Sequence, residues 1–128
     1  MSTEQNKAVL RRWFEAWNTR SVSVLEALAD EIFTTDFVVH DKAQPAAVMG
    51  REGIKQFVRD VLKNTPDIHI TVEDMTAEGD RVAIRYTPAG TDASTGKPTR
   101  TLVIQVSRMA GGKMAEAWSL DVPAEAQA

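Results

Sequence analysis

Apolar residues recur at helical spacing in the first part of the chain and at alternate positions from Asp67 onward. Leu10, Trp13, Phe14 and Trp17 fall at i, i+3, i+4 and i+7, one stripe of a helix, and Ser2 with Gln5 has the spacing of a capping box before it. Ser23 and Glu26 repeat that spacing ahead of Leu25, Leu28, Ala29 and Ile32, which predicts a shorter second helix. A β-rich run from Phe33 to His40 leads into a Pro-containing loop, Lys42 to Met49. Gly50 then opens a third helix with Ile54, Phe57, Val58, Val61 and Leu62 inward, and Pro66 stops it.

Four alternating runs follow: Asp67 to Ala77, Arg81 to Thr91, Arg100 to Met109 and Lys113 to Asp121. Gly79-Asp80 and Gly111-Gly112 are two-residue hairpin signals, and connectors that short join antiparallel neighbours. The longer loop from Asp92 to Thr99 carries Gly96 and Pro98 and also marks a reversal. These elements predict an α+β fold in which three N-terminal helices cover one face of a curved antiparallel sheet. A period of two sends neighbouring side chains to opposite faces. The expected apolar face holds Ile68, Ile70, Val72, Val82, Ile84, Tyr86, Leu102, Ile104, Val106, Trp118 and Leu120. The expected semi-polar face holds His69, Thr71, Glu73, Arg85, Thr87, Gln105, Ser107, Ser119 and Asp121, with Val103, Ala83 and Ala117 interspersed.

The length of 128 residues fits one domain, taken as 1–122, with 123–128 as a short flexible tail. Fifteen basic against eighteen acidic residues give a net charge of −3, so no basic excess is present to hold a phosphate backbone or an anionic membrane. Without cysteine there is no thiolate nucleophile, thiolate metal site or disulfide framework. The polar first residues and the lack of a long apolar stretch predict a soluble, untargeted, cytoplasmic protein. His40 and His69 lie 29 positions apart with no metal-ligand spacing, which predicts no metal. The glycines fall in turns rather than between a strand and a helix, so no phosphate-cradling or dinucleotide motif exists and no cofactor is expected. No serine stands in a nucleophile-elbow pattern.

The stretches DFVVHD (36–41), GREGIKQFV (50–58), PDIHITVEDMTAEGDRVAIRYTPAGT (66–91) and GGKMAEAW (111–118) cover most of the chain in order. Through them the chain resembles the SnoaL-like branch of the nuclear-transport-factor-two-like fold, which holds polyketide cyclases, ketosteroid isomerases and limonene epoxide hydrolases. The resemblance implies a sheet wrapped around the helices as a cystatin-like cone with a central apolar pocket, lined by the semi-polar face. It also implies a homodimer whose subunits cover each other's apolar outer face. An exposed patch of that size is unusual on a monomer.

Carried over residue by residue, the epoxide-hydrolase pattern finds its arginine at Arg85 but has Thr87 and Ser119 where it needs aspartates. Threonine and serine titrate too high to serve as its acid and base, so that chemistry is disfavoured. The cyclase pattern places its acid/base aspartate at Ser119, directly after Trp118, and Asp121, one pleat further on, is the substitute. His40 corresponds to a pocket-lining position, and imidazole suits proton transfer at neutral pH. Asp92 stands where the family often has histidine, and its usual C-terminal helix is absent. The resulting candidates are His40, Asp121 and Arg85 as catalytic residues, with Trp17, Thr87, Ser119 and Trp118 binding the ligand. Two readings follow: a cofactor-independent cyclase- or isomerase-type enzyme acting on a small hydrophobic cyclic molecule, or a non-catalytic binding or dimerisation module of the same fold.

Overall fold

The computed structural model describes residues 2–41 and 50–123; the predicted loop at 42–49 and the tail from 124 lie outside the described residues. Helix α1 (Thr3–Ala16) begins with the predicted capping box: the Ser2 hydroxyl accepts from the Gln5 amide at 3.1 Å, and the Ser2 amide donates to Gln5 Oε1 at 2.9 Å. Two otherwise orphaned donors are satisfied this way. A short 3-10 turn, Trp17–Thr19, keeps Trp17 on the buried stripe of α1, and Arg20 closes it in a left-handed conformation (φ 56°). Helix α2 (Val22–Ile32) is capped by Ser21, whose hydroxyl accepts from the Val24 amide, and not by Ser23. The 3-10 turn consumes the chain up to Arg20, so the helix starts two residues before the position that the Ser23–Glu26 spacing suggested. Helix α3 (Gly50–Asn64) buries Ile54, Val58 and Leu62, while Phe57 stays 40% exposed.

Five strands follow the order β1-β5-β4-β3-β2, with β1 (Phe33–Asp41), β2 (His69–Glu78), β3 (Arg81–Thr91), β4 (Pro98–Ala110) and β5 (Lys113–Pro123). The sheet is mixed rather than wholly antiparallel: β1 runs parallel to β5, with His40 opposite Trp118 and Asp41 opposite Ser119. A connection that carries α3 and three strands is free of the constraint a tight turn imposes, so β1 pairs in either sense with the open edge of β5. Pro123, assigned to the tail from the sequence, closes β5.

Registers correct the predicted faces. Opposed residues in a ladder share a face, and Val82 opposes Ser107, Ile84 opposes Gln105 and Tyr86 opposes Val103. Across β4 and β5, Val103 opposes Asp121, Gln105 opposes Ser119 and Ser107 opposes Ala117. The apolar side of β2 and β3 therefore continues into the semi-polar side of β4 and β5, and together these form the inner face against the helices. Leu102, Ile104, Val106, Trp118 and Leu120 lie on the outer face with Arg85 and Thr87. Alternation within β3 and β4 is as predicted; the two hairpins are joined in the opposite phase. That phase is set by the β3–β4 connection, where the Asp92 carboxylate accepts from the Ser94 and Thr95 amides and Gly96 takes a positive φ of 71°. A bulge between Val72 and Asp74 changes the phase of β2 once more, which puts Met75 opposite Ile84.

The core lies between the inner face and the helices, built from Leu10, Leu25, Ile32, Phe33, Phe37, Val58, Val82 and Ile84. No helix of the described residues is long and apolar enough to cross a membrane.

Candidate functional site

Between α1, α3 and the inner sheet face lies a cavity of about 230 Å³. Its apolar side is a chain of rings set nearly at right angles: Trp17 to Trp13 (81°), Trp13 to Phe33 (84°) and Phe33 to Phe37 (70°), with Phe57 edge-on to Trp17 (78°). Edge-to-face packing of this kind stiffens the wall, because each ring's positive edge meets its neighbour's negative face. Phe14 and Tyr86 pack together at 4.3 Å on the sheet side.

Polar groups reach the cavity from β3, β4 and β5: Tyr86, Thr101, Gln105, Ser119 and Asp121. The registers put Gln105 beside Ser119, and Tyr86, Val103 and Asp121 in one row across three strands. Gln105 is buried and its amide nitrogen donates to Ser107 Oγ at 3.0 Å; the Ser119 hydroxyl donates to Asp121 Oδ1 at 3.3 Å. Asp121 sits at the exposed end of this row, so its carboxylate meets both cavity and solvent. Among the described lining residues it is the one carboxylate, and none of them is a histidine, lysine or arginine.

Of the seven residues singled out from the sequence, Trp17, Ser119 and Asp121 line this cavity together, and the other four lie on the outer face. His40 opposes Trp118 there; its ring stacks on the indole at 5.5 Å and 22°, and Nε2 bonds Glu116 Oε2 at 2.6 Å. Arg81 covers the same indole, its guanidinium carbon 5.0 Å from the ring centroid. Glu116 accepts from Arg108 as well, and the His40 hydrogen bond followed by the Arg108 contact holds its carboxyl below the usual carboxylate range. Arg85 is exposed opposite Ile104, and Thr87 donates to Glu73 Oε1 at 3.0 Å. The proposed convergence of His40, Arg85 and Asp121 is therefore corrected: His40 in β1 and Glu116, Trp118 and Leu120 in β5 face outward, as do Arg85 and Thr87 in β3, while Asp121 faces the cavity.

A family model described as a SnoaL-like domain matches residues 10–117. The chain belongs to the SnoaL-like family. Solved structures agree on the fold. A candidate polyketide cyclase from Bacillus cereus is 27% identical, with a TM-score of 0.76 over 94% of this chain and 78% of that one. A SnoaL-like candidate polyketide cyclase from Jannaschia sp. is 21% identical, with a TM-score of 0.81 over 93% and 86% of the two chains. IdmH, a candidate polyketide cyclase from Streptomyces antibioticus, is 24% identical, with a TM-score of 0.75 over 91% of each chain. No curated protein matches the chain by sequence.

Within this SnoaL-like domain, Tyr86, Thr101 and Gln105 are cavity residues that the sequence reading did not single out. Tyr86 was hidden by its place in an apolar run, Val82-Ala83-Ile84-Arg85-Tyr86, where the hydroxyl is the one polar feature on its side. Gln105 carried a usable signal: a long polar residue between Ile104 and Val106 that becomes buried needs a partner, and Ser107, two residues on and on the same face, supplies it. Among the described residues no three His, Asp or Glu side chains gather as a metal site.

Proposed function

We propose that this SnoaL-like chain is a cofactor-independent enzyme of the polyketide cyclase or isomerase type, performing general acid–base chemistry on a small hydrophobic cyclic molecule, with Asp121 as the proton-transfer group. The observation that carries this reading is the meeting of one carboxylate, among the described lining residues, with a cavity whose lining is mostly apolar. Rings of Trp13, Trp17, Phe33 and Phe37 suit the apolar body of a substrate, and Asp121 at the open end is placed for a carbon-bound proton beside a carbonyl. In that step the C–H electron pair forms the enolate C=C bond as the carbonyl π pair moves to oxygen, the proton passes to Asp121, and a hydroxyl of Thr101 or Tyr86 donates to the enolate oxygen. Return of the proton to a second carbon gives isomerisation; attack of the enolate carbon on another carbonyl gives ring closure, the π pair of that carbonyl forming an alkoxide that takes the proton back from Asp121. Ser119, bonded to Asp121 Oδ1, positions the carboxylate.

The direct test is deuterium exchange in D2O, followed by NMR, over a panel of cyclic ketones. The wild-type protein is expected to exchange α-protons of at least one of them, and Asp121→Asn to lower that rate by about 10²- to 10⁴-fold. Equal rates in the two proteins contradict the assignment.

The non-catalytic binding module remains as a second reading, favoured by the described lining, which holds a single carboxylate and no histidine, lysine or arginine side chain. Ligand recovered unchanged across the same panel supports it. We further propose that two copies pair through the outer sheet face. Ile104 and Leu120 are 46% and 56% exposed there, beside Leu102, Val106 and Trp118.

A further inference from the structure

We propose that the cavity takes a single ring whose hydroxyl group donates to the side-chain amide of Gln105, on the side of the ring opposite the reacting carbonyl. This rests on the reading of the cavity as a ligand site with Asp121 at its proton-transfer end, and it names the substrate class and the residue that selects it.

A glutamine on the inner face of a sheet is unfavourable unless its amide is used. Gln105 stands in β4 between Ile84 of β3 and Ser119 of β5, and it alone of the polar residues in the described lining is buried, at 7% exposure. Its Nε2 donates at 3.0 Å to Oγ of Ser107, which is wholly enclosed, so the amide is held in place before any ligand arrives. Oε1 takes no hydrogen bond from the described residues. It is not one of the sealed, unpartnered side-chain atoms either, which are Asn6 Oδ1 and Thr34 Oγ1; it opens on the cavity that Gln105 lines. A buried carbonyl oxygen without a donor is destabilising, so an occupant that donates to it completes the site.

The donor is neutral and small. Phe37, Val103 and Met114 belong to the same lining, and an ion stripped of water among them would lose more than a neutral amide returns. A hydroxyl brings its proton with little bulk. A cavity of about 150 Å³ holds a benzene ring, and pockets for drug-sized ligands run to roughly 300–1,000 Å³. At about 230 Å³ this one suits one ring with short substituents. Strand register then places the hydroxyl. The row of Tyr86, Val103 and Asp121 lies two residues along from the row of Ile84, Gln105 and Ser119. That is about 7 Å at the usual strand rise, a gap that a six-membered ring with oxygens on opposite carbons bridges. With the hydroxyl at Gln105, the carbonyl and the carbon beside it fall at the row that holds Asp121.

Four ketones of similar size test this: 4-hydroxycyclohexanone, its 2-hydroxy isomer, 4-methoxycyclohexanone, which only accepts, and 4-methylcyclohexanone, which does neither at that position. Each is titrated at pH 7 into 15N-labelled wild-type protein and Gln105→Leu, following the indole N–H signals of Trp13 and Trp17, with thermal melts to check folding. Wild type is expected to bind 4-hydroxycyclohexanone about tenfold more tightly than the other three, as an otherwise unmet buried acceptor implies. Gln105→Leu is expected to lose that preference while 4-methylcyclohexanone still binds; should this variant not fold, the wild-type ranking decides alone. The methoxy or methyl compound binding as well as 4-hydroxycyclohexanone, or a preference that survives Gln105→Leu, overturns the hydroxyl assignment and leaves the cavity as a ligand site. Equal binding of the two hydroxy isomers overturns the placement of the hydroxyl opposite the carbonyl. Failure of all four to bind overturns the proposal and the ligand-site reading together.

Discussion

Glu116 shows how a conspicuous residue pair works away from the cavity. Its carboxylate receives the His40 ring at 2.6 Å and Arg108 Nε at 3.2 Å, and the first of these contacts does most to keep it ionised. A carboxyl whose folded pKa lies below its unfolded one stabilises the fold above the unfolded value of about 4.3, and that contribution disappears as pH falls through the folded pKa. Glu116→Gln is therefore expected to be less stable than wild type near pH 6, with the gap closing as pH falls below 4. Urea denaturation across that range checks the sign; a gap that widens on acidification contradicts it. His40 belongs to this outer cluster, so its substitution should leave cavity chemistry intact, in contrast to Asp121.

At the scale of elements, the junction of α3 with the sheet is tighter than its sequence suggests. Gly90 in β3 lies against the α3–β2 connection, where an added Cβ would come within 2.4 Å of Thr65 Cγ2 and 2.9 Å of Asp67 Oδ1. That carboxylate already accepts from the Thr91 amide at 2.8 Å, and this bond together with the Thr91 side chain holds its pKa below the usual range. Gly90→Ala is expected to cost about 1–3 kcal/mol in urea unfolding at pH 7, as overpacking does. An unchanged midpoint would show that the junction yields freely. Local patterns made most elements legible: the Leu10–Trp17 stripe, the Ser2–Gln5 cap and the glycine hairpins each encode structure within a few residues. The relation between β3 and β4 was not legible, because a six-residue connection lets either parity of one strand oppose either parity of the other. That one ambiguity moved Arg85 and Thr87 outside and brought Ile84 and Tyr86 in. His40 followed from a second gap: the parallel pairing of β1 with β5 is made by residues more than seventy positions apart. Trp17, Ser119 and Asp121 were legible because the helical stripe and the phase of the β4–β5 hairpin were both correct.

For the whole molecule, the two faces of the sheet divide the work. The inner face and the helices enclose an aromatic cavity with a polar rim, and the outer face carries Leu102, Ile104, Val106, Trp118 and Leu120 among charged residues of β3 and β5. If two copies pair there, sedimentation at micromolar concentration is expected to give a dimer, and Ile104→Asp with Leu120→Asp a monomer; a wild-type monomer contradicts the pairing. The central claim, that function resides on the inner face, has three built-in reporters. Trp13 and Trp17 line the cavity, and Trp118 lies on the outer face between His40 and Arg81. In a 15N-labelled sample their three indole N–H signals can be followed while benzyl alcohol is added. Shifts of Trp13 and Trp17 with Trp118 stationary are the predicted result; movement of Trp118 alone would contradict the account.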